Sequence, residues 1–237
     1  FLSGIDDSVE KIAYAASTGG ADFSTDESTE MIQCLQKFKD ISVRESASKE
    51  ALNQRLKEKN IEIVLDPVFL TTKSNWLRLA ARPVKKDYIL FFKMGYSKTA
   101  ESAMEFAKKL SKETGYELLM LWDQETWFKY RDVKHIGAVG PAEFLQWIAG
   151  AKCVVTNSFH ATAFSIILNT PFYVETEIER KDRVLNILNI FKLEKCGLVK
   201  GKSANGTNVP QIEWNAVNLL LDNERHRSLD YIDRILK

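Results

Sequence analysis

The sequence predicts an α/β protein made of two lobes, each a parallel sheet covered by helices. Short apolar runs alternate with longer segments of helical periodicity, which is the order of elements in β-α-β units. The apolar runs are continuous, as expected of strands that are buried on both faces. The alternation pauses at residues 82–87, a polar stretch that contains Pro83, and then restarts. We therefore predict lobes at residues 1–84 and 85–237, the first of them short of strands.

The first lobe follows the order strand, helix, strand, helix, strand. The predicted elements are a strand at residues 11–17, a helix at 27–39, a strand at 41–44, a helix from 46 to about 59 and a strand at 61–65. Gly19 and Gly20 indicate a loop after the first strand. Ser46 is a suitable N-cap for the second helix, and Pro67 stops the third strand.

The second lobe repeats this alternation and ends in a long helical segment. Its predicted strands lie at residues 88–92, 117–122, 153–156 and 171–174, and its predicted helices at 99–114, 141–149, 160–168 and 180–191. Gly115 fits the C-terminal cap of the first of these helices. Residues 214–236 predict an amphipathic helix or a helix pair. Residues 73–82 carry a mixed pattern, and residues 130–136 form a predicted polar loop.

Composition argues against several kinds of partner. The net charge of +1 and the hydrophobic fraction of 45% are ordinary for a soluble domain, so we expect no nucleic-acid partner. The apolar runs are far shorter than the ~20 residues that cross a bilayer, so no membrane span is expected. The 3 cysteines are odd in number and widely spaced, which disfavours a disulfide framework or a zinc site and predicts a cytoplasmic protein. Because the sequence lacks an initiating Met, we expect a processed chain or a fragment.

The most informative candidate residues follow the predicted strand at residues 153–156. Ligands of parallel sheets bind at the carboxyl ends of the strands, in the loops that lead into helices. Asn157 or Ser158 can cap the next helix, whose first N–H groups form an anion site, and His160 adds a titratable donor. On pattern alone the simpler alternative is favoured, in which Ser158 is only a cap and His160 is a partly buried histidine.

Two further candidates end strands of the first lobe. Arg44 either pairs with Glu45 on the surface or forks onto a carboxylate or phosphate of a ligand. Asp66 precedes Pro67, and a residue in that position is more often part of a turn than a catalytic acid. The sequence shows no cluster of carboxylates that demands a metal, and none is predicted.

Residues 140–175 (GPAEFLQWIAGAKCVVTNSFHATAFSIILNTPFYVE) resemble the signature segment of the polysaccharide pyruvyl transferases. Supporting matches are IAYAASTG at residues 12–19, ISVRE at 41–45 and VLDP at 64–67, so that the resemblance extends from about Lys11 onward. Two positions depart from the family pattern. Ala161 stands where the family commonly has Gly, and Thr18 stands where relatives often have an aromatic residue.

The resemblance implies a fold of two Rossmann-like lobes that face a cleft, similar to GT-B glycosyltransferases. Family members usually have a longer N-terminal half, with a loop rich in glycine and asparagine, so we expect the N-terminal lobe here to be incomplete. The implied activity moves pyruvate from phosphoenolpyruvate onto two hydroxyls of a polysaccharide or glycan-precursor sugar as a ketal. The implied partners are phosphoenolpyruvate and a sugar or lipid-linked glycan acceptor, and no cofactor is implied beyond this donor substrate.

The resemblance also suggests roles for the candidate residues. Arg44 would clamp the anionic donor, Asn157 and Ser158 would bind it at the helix start, and His160 would be a general acid or a hydrogen-bond donor. Arg183 begins a segment that resembles the family's arginine-containing helix and is a further donor-binding candidate. Arg180 is more simply a solvated residue.

Two other functions are compatible with the sequence. A GT-B-like glycosyltransferase that uses a nucleotide sugar would need an acidic residue at the ribose, and Glu175 or Glu177 could serve. A truncated, non-catalytic binding module is the other alternative. A Ser–His hydrolase is disfavoured, because Ser158 and His160 lie only two positions apart and the sequence has no GxSxG elbow.

Overall fold

A computed structural model of the chain describes residues 4–19, 23, 28–80, 87–94, 98–121, 127–137, 139–177, 182–204 and 206–237. The chain divides into two compact units. Unit 1 comprises Phe1–Leu70 together with Leu221–Lys237, and unit 2 comprises Thr71–Leu220. The lobe boundary predicted between residues 84 and 85 lies outside the described residues. The end of the chain, predicted to close the second lobe, is grouped with unit 1.

Unit 1 contains a three-stranded parallel sheet in the order β1-β2-β3. Its elements are β1 (Ile12–Ala16), α1 (Thr29–Gln36), β2 (Asp40–Val43), α2 (Ser46–Asn53) and β3 (Ile61–Ile63). Apolar residues of the strands and of both helices form one buried cluster, as the predicted pattern requires. The second helix ends earlier than the sequence predicted, and the start of the first predicted helix lies partly outside the described residues.

The first strand of unit 1 contains an irregularity near its carboxyl end. The register of β1 against β2 shifts between Ala13 and Ala16, and Ala15 adopts a positive φ of 51°. The buried hydroxyl of Ser42 accepts the N–H of Ala15 at 3.1 Å and donates to the carbonyl of Ala13 at 3.2 Å. Because a bulge re-aims the chain that follows it, this feature sets the course of the loop after β1.

Unit 2 is built on a seven-stranded sheet in the order β10-β9-β8-β7-β4-β5-β6. Its strands are β4 (Tyr88–Phe92), β5 (Glu117–Leu121), β6 (Lys134–Ile136), β7 (Cys153–Thr156), β8 (Phe172–Glu175), β9 (Gly197–Val199) and β10 (Lys202–Ser203). All neighbouring strands are parallel except β9 and β10, which form an antiparallel pair. The four strands predicted here are present, and β6, β9 and β10 were not predicted.

Helices cover both faces of this sheet. The helices that follow β3 are α3 (Lys73–Leu79), α4 (Lys98–Thr114), α5 (Pro141–Gly150), α6 (Phe159–Leu168), α7 (Asp182–Ile190) and α8 (Trp214–Ile235), the last a single helix. The apolar face of α4 packs on β4, β5 and β7. Edge-to-face aromatic contacts link Phe92 of β4 to Phe144 of α5, and Phe144 to Phe164 of α6. Phe164 in turn contacts Trp76 of α3 in the same geometry. Within the part of the chain that the structure describes, no helix combines the length and apolar character needed to span a membrane.

The second half of α8 completes unit 1. Tyr231 and Ile235 pack against Ala15 and Val64 in a second buried cluster. The fully buried hydroxyl of Ser228 accepts the N–H of Leu65 at 3.0 Å. These contacts fix the segment that follows β3, so the carboxyl edge of the small sheet is supported from the C-terminal end of the chain.

Candidate functional site

In unit 2, two loops meet at the carboxyl edge of the sheet, after β4 and after β7. The register pairs Phe92 with Thr156, so the residues beyond them also become neighbours. The Asn157 amide oxygen accepts the N–H of Met94 at 2.8 Å, and its Nδ2 donates to the carbonyl of Met94 at 3.1 Å. The side-chain amide of this predicted binding residue is therefore engaged with the protein backbone, where it joins the two loops.

The start of α6 has the geometry of a capped helix N-terminus. Of the two predicted caps, Ser158 is the one observed, since its hydroxyl accepts the N–H of Ala161 at 3.4 Å. The hydroxyl of Thr156 accepts the N–H of Ser158 at 2.9 Å, and Thr162 donates its hydroxyl to the carbonyl of Ser158 at 2.9 Å. Helix α6 is buried from Ala161 to Leu168, so its N-terminus is held firmly, and the helix dipole favours an anion there.

Two of the predicted site residues in unit 2 lie against one aromatic ring. His160, in the first turn of α6, is exposed, and its ring centroid lies 5.4 Å from that of Phe159 with an interplanar angle of 83°. The guanidinium carbon of Arg183, near the start of α7, lies 6.0 Å from the centroid of the same ring. His160 and Arg183 therefore both lie against the ring of Phe159, whereas Arg180 lies outside the described residues.

Glu175, a candidate ribose ligand of the alternative function, is bound by the protein itself. Its side chain is fully buried, and one oxygen accepts the hydroxyl of Ser102 at 3.0 Å and the N–H of Gly201 at 2.9 Å. The other oxygen accepts the N–H groups of Glu177 and Lys200, each at 3.2 Å. The carboxylate thus stabilises the turn between β9 and β10, and only Glu177 of the two candidates is exposed.

Unit 1 places Arg44 between two buried acids at the carboxyl edge of its own sheet. Nη1 of Arg44 donates to Asp66 at 3.0 Å, and its Nε lies 3.8 Å from a carboxylate oxygen of Glu45. The Arg44 side chain is 21% exposed, while those of Glu45 and Asp66 are 3% and 4% exposed. The Arg44–Glu45 pair is therefore not the surface pair considered from the sequence, because its acidic partner is buried.

Asp66 combines a turn role with contact to this arginine. One oxygen accepts the N–H of Val68 at 3.2 Å and so caps the 3₁₀ turn Pro67–Phe69, as its position before proline predicted. The other oxygen binds Arg44. Both oxygens of the carboxylate therefore face groups of the chain, which fits a positioning role better than that of a catalytic acid.

The loop after β1 is fixed beside this cluster. The hydroxyl of Ser17 donates to Glu45, and the N–H of Gly19 donates to the hydroxyl of Ser17 at 3.2 Å. The N–H of Thr18 donates to Ser48, in the first turn of α2, at 3.1 Å. Sequence reasoning did not single out Ser17 or the buried role of Glu45, although both lie within the short segments that resemble the family.

Each unit therefore carries a cationic group at the carboxyl edge of its parallel sheet, Arg44 in one and Arg183 in the other. Such groups suit carboxylate or phosphate ligands, since a guanidinium offers several donors in one plane. Among the described residues, no group of three or more His, Cys, Asp or Glu side chains is placed to hold a metal ion.

The fold defines the class of protein as a Rossmann-like α/β protein of the GT-B kind. Two solved structures of UDP-GlcNAc 2-epimerase from Methanocaldococcus jannaschii share it. One superposes with a TM-score of 0.55 at 16% identity and covers 95% of this chain and 68% of its own. The other gives 0.56 at 12% identity and covers 91% of this chain and 63% of its own. This chain thus spans roughly two thirds of their length.

The sequence places the chain more narrowly than the fold does. The model of the polysaccharide pyruvyl transferase family matches residues 1–176. This range includes Arg44 with its two acidic partners and the start of α6 with His160, but it ends before Arg183. The chain belongs to this family. No curated protein sequence matches the chain significantly.

Proposed function

We propose that this chain carries a pyruvyl transferase activity that moves pyruvate from phosphoenolpyruvate onto two hydroxyls of a glycan sugar as a ketal. The observation that carries the proposal is the arrangement of His160 and Arg183 around Phe159 beside the start of α6. His160 lies in the segment matched by the family. The whole arrangement combines a titratable donor, the fixed positive charge of Arg183 and a helix N-terminus.

The chemistry of the donor explains why these groups suit it. Phosphoenolpyruvate carries a carboxylate and a phosphate on one small carbon frame, so a binding site needs cations and oriented N–H donors. We assign one anionic group to Arg183 and the N-terminus of α6, with the Ser158 cap fixing that terminus. We assign Arg44, whose guanidinium is held by Asp66 and Glu45, to forked contact with a carboxylate or phosphate, as the resemblance to the family implies.

The reaction itself requires proton transfers but no electron transfer. A proton added to the methylene carbon of phosphoenolpyruvate leaves an oxocarbenium-like centre at the neighbouring carbon. A first sugar hydroxyl adds there and loses its proton, and the bond to the phosphate oxygen breaks to release inorganic phosphate. A second hydroxyl then adds to the same carbon and loses its proton, which completes the ketal. His160 is the proposed general acid or hydrogen-bond donor, since it is exposed and lies beside the proposed anion site.

The proposal is tested by measuring donor binding and turnover in the protein that carries this chain. Calorimetry should detect phosphoenolpyruvate, and Arg183→Met should raise its Kd about 10-fold or more, since a charged hydrogen bond is worth about 1.5–3 kcal/mol. His160→Gln should lower kcat for phosphate release with a glycan acceptor more than it raises Kd. His226→Gln, an exposed histidine on α8, is the matched control and should change neither quantity. Absence of phosphoenolpyruvate binding by the unaltered protein would refute the proposal.

The alternative of a nucleotide-sugar enzyme has one observation in its favour, the shared fold. One of the similar structures is an epimerase in complex with UDP-GlcNAc and UDP. In this chain the carboxylate of Glu175 is engaged by Ser102, Gly201 and two other backbone groups, which removes one of the two candidate ribose ligands. We therefore expect a panel of UDP-sugars to give no calorimetric binding under conditions where phosphoenolpyruvate binds. Binding of a UDP-sugar alone would favour the alternative.

The remaining alternative is tested by the same preparation. A non-catalytic binding module would bind phosphoenolpyruvate or the glycan but release no phosphate. We propose a cytoplasmic location for the reaction, on the basis of 3 cysteines without disulfide spacing. The proposed acceptor is a sugar or lipid-linked glycan.

A further inference from the structure

We propose that Phe159 is a positioning residue of the donor site, whose ring orients both the His160 imidazole and the Arg183 guanidinium. The inference rests on the proposed function, because it concerns how these two groups meet phosphoenolpyruvate. Phe159 is the first residue of α6, directly after the Ser158 cap, so the backbone that carries its ring is fixed. The side chain is partly exposed at that position.

The contact with His160 restricts a side chain that is otherwise in solvent. The two rings are 5.4 Å apart and nearly perpendicular, which is the favourable edge-to-face geometry for aromatic pairs. An exposed histidine on a helix samples several rotamers, and each choice places its nitrogens differently. The Phe159 ring favours one of them, so the imidazole is oriented before the donor arrives.

The contact with Arg183 has a different physical basis. Its guanidinium carbon lies 6.0 Å from the Phe159 ring centroid, within the range of a cation–π interaction. Helix α7 is anchored by its buried residues Val184, Ile187 and Leu188, so the backbone that carries the Arg183 side chain is fixed. The contact with the Phe159 ring then restricts the position of the guanidinium. One ring thus contacts both a titratable group from α6 and a permanent charge from α7.

Phe164 shows what an aromatic residue of the same helix does when its role is packing. Its side chain is 9% exposed and contacts Trp76 at 5.0 Å and Phe144 at 6.2 Å between ring centroids. Phe159 instead lies against two side chains of the proposed donor site. Phe164→Leu is therefore a matched control, because it removes from α6 an aromatic ring that packs against Trp76 and Phe144.

The test compares Phe159→Leu, Phe159→Tyr and Phe164→Leu in the protein that carries this chain. Phe159→Leu should raise the Kd for phosphoenolpyruvate about 2- to 5-fold, the value expected for one cation–π contact of about 0.5–1 kcal/mol, and should lower kcat further through His160. Phe159→Tyr keeps the ring and should restore both values. Phe164→Leu should lower Tm and leave Kd and kcat unchanged. Equal Kd and kcat in Phe159→Leu and the unaltered protein would overturn the inference.

A measurement without donor separates this inference from the proposed function. In a ¹⁵N-labelled protein the Nε–H resonance of Arg183, assigned from its loss in Arg183→Lys, should move toward its random-coil position in Phe159→Leu, because the ring current is removed. An unmoved resonance would overturn the positioning role even if phosphoenolpyruvate binds. A resonance that moves, in a protein that binds no phosphoenolpyruvate, would support the contact with Phe159 and refute the proposed function instead.

Discussion

At the scale of single residues, the role of a polar side chain in this protein depends on the groups to which it is hydrogen-bonded or paired. Asn157 has the appearance of a ligand-binding residue in the sequence, yet both ends of its amide bind the backbone of Met94. Asn157 would therefore influence donor binding indirectly, by fixing the position of the loop after β4. Arg44 similarly cannot be considered apart from the two buried carboxylates beside it.

The Arg44 cluster leads to a prediction about stability as well as binding. Arg44→Ala leaves Glu45 and Asp66 buried without their cation, so we expect the free energy of unfolding to fall by about 3 kcal/mol. Arg44→Lys keeps the charge but loses the forked donor geometry, and it should retain most of the stability while weakening phosphoenolpyruvate binding. Urea denaturation and calorimetry measure the two quantities.

The control for this pair of substitutions is Lys109→Ala, which removes an exposed lysine from an ion pair with Glu113 on α4. Exposed ion pairs contribute about 0–1 kcal/mol, so its urea midpoint should remain close to that of the unaltered protein. A stable Arg44→Ala protein with unchanged donor affinity would show that this arginine is neither structurally nor functionally important.

At the scale of elements, the carboxyl edge of unit 2 depends on the antiparallel pair β9–β10. Gly201 lies in its turn at a φ of +70°, and a Cβ there would come within 2.3 Å of the carbonyl oxygen of Ser102 on α4. The same turn supplies two of the N–H groups that bind Glu175. Close approach of the turn to α4 and the bonds to the carboxylate therefore stabilise the same edge of the sheet.

Comparing two glycines tests this arrangement. Gly115 has a similar φ of +75°, but no atom lies within 4 Å of the position that a Cβ would take there, so Gly115→Ala should cost only the conformational term of about 1–2 kcal/mol. Gly201→Ala adds a steric clash with α4 and should lower the free energy of unfolding clearly more. Thermal and urea denaturation of the two variants provide the comparison. Equal losses would mean that the turn does not pack against α4 as described.

At the scale of the whole molecule, the reactivity of the three cysteine thiols depends on whether the protein is folded. Cys153 and Cys196 are fully buried in unit 2, and burial raises the pKa of the Cys196 thiol to about 12 and that of Cys153 even further from its ordinary value. Cys34 of unit 1 is partly exposed. Because the thiolate is the reactive form, the two buried cysteines are protected both by exclusion of reagent and by protonation.

We therefore expect Ellman's reagent at pH 8 to label one thiol rapidly in the folded protein and the other two only on unfolding. Cys34→Ser should abolish the fast phase of labelling. Denaturant should expose the two slow thiols to the reagent in step with the loss of unit 2 structure. Rapid labelling of all three thiols under native conditions would contradict the burial of Cys153 and Cys196.

The elements that the sequence missed have a common cause. The segment containing α3 shows no clear apolar periodicity, since this helix has no buried residue and contacts the rest of unit 2 largely through Trp76. Strands β6, β9 and β10 are two or three residues long, too short for a pattern to emerge. Their formation depends on a sheet edge that already exists, which no local stretch of sequence contains.

The sequence by itself determined the α/β class, the long strands and helices and the family, because burial on both faces leaves a local record in continuous apolar runs. It also placed Arg44 and the Ser158–His160 turn at carboxyl ends of strands. Only the tertiary structure decided the partners of the polar groups: Asn157 with Met94 across 63 positions of chain, and Glu175 with Ser102 across 73. Such pairs follow from strand order, which brings distant segments to one edge of a sheet, and hydrogen bonds then form between groups whose separation in the chain has no regular period.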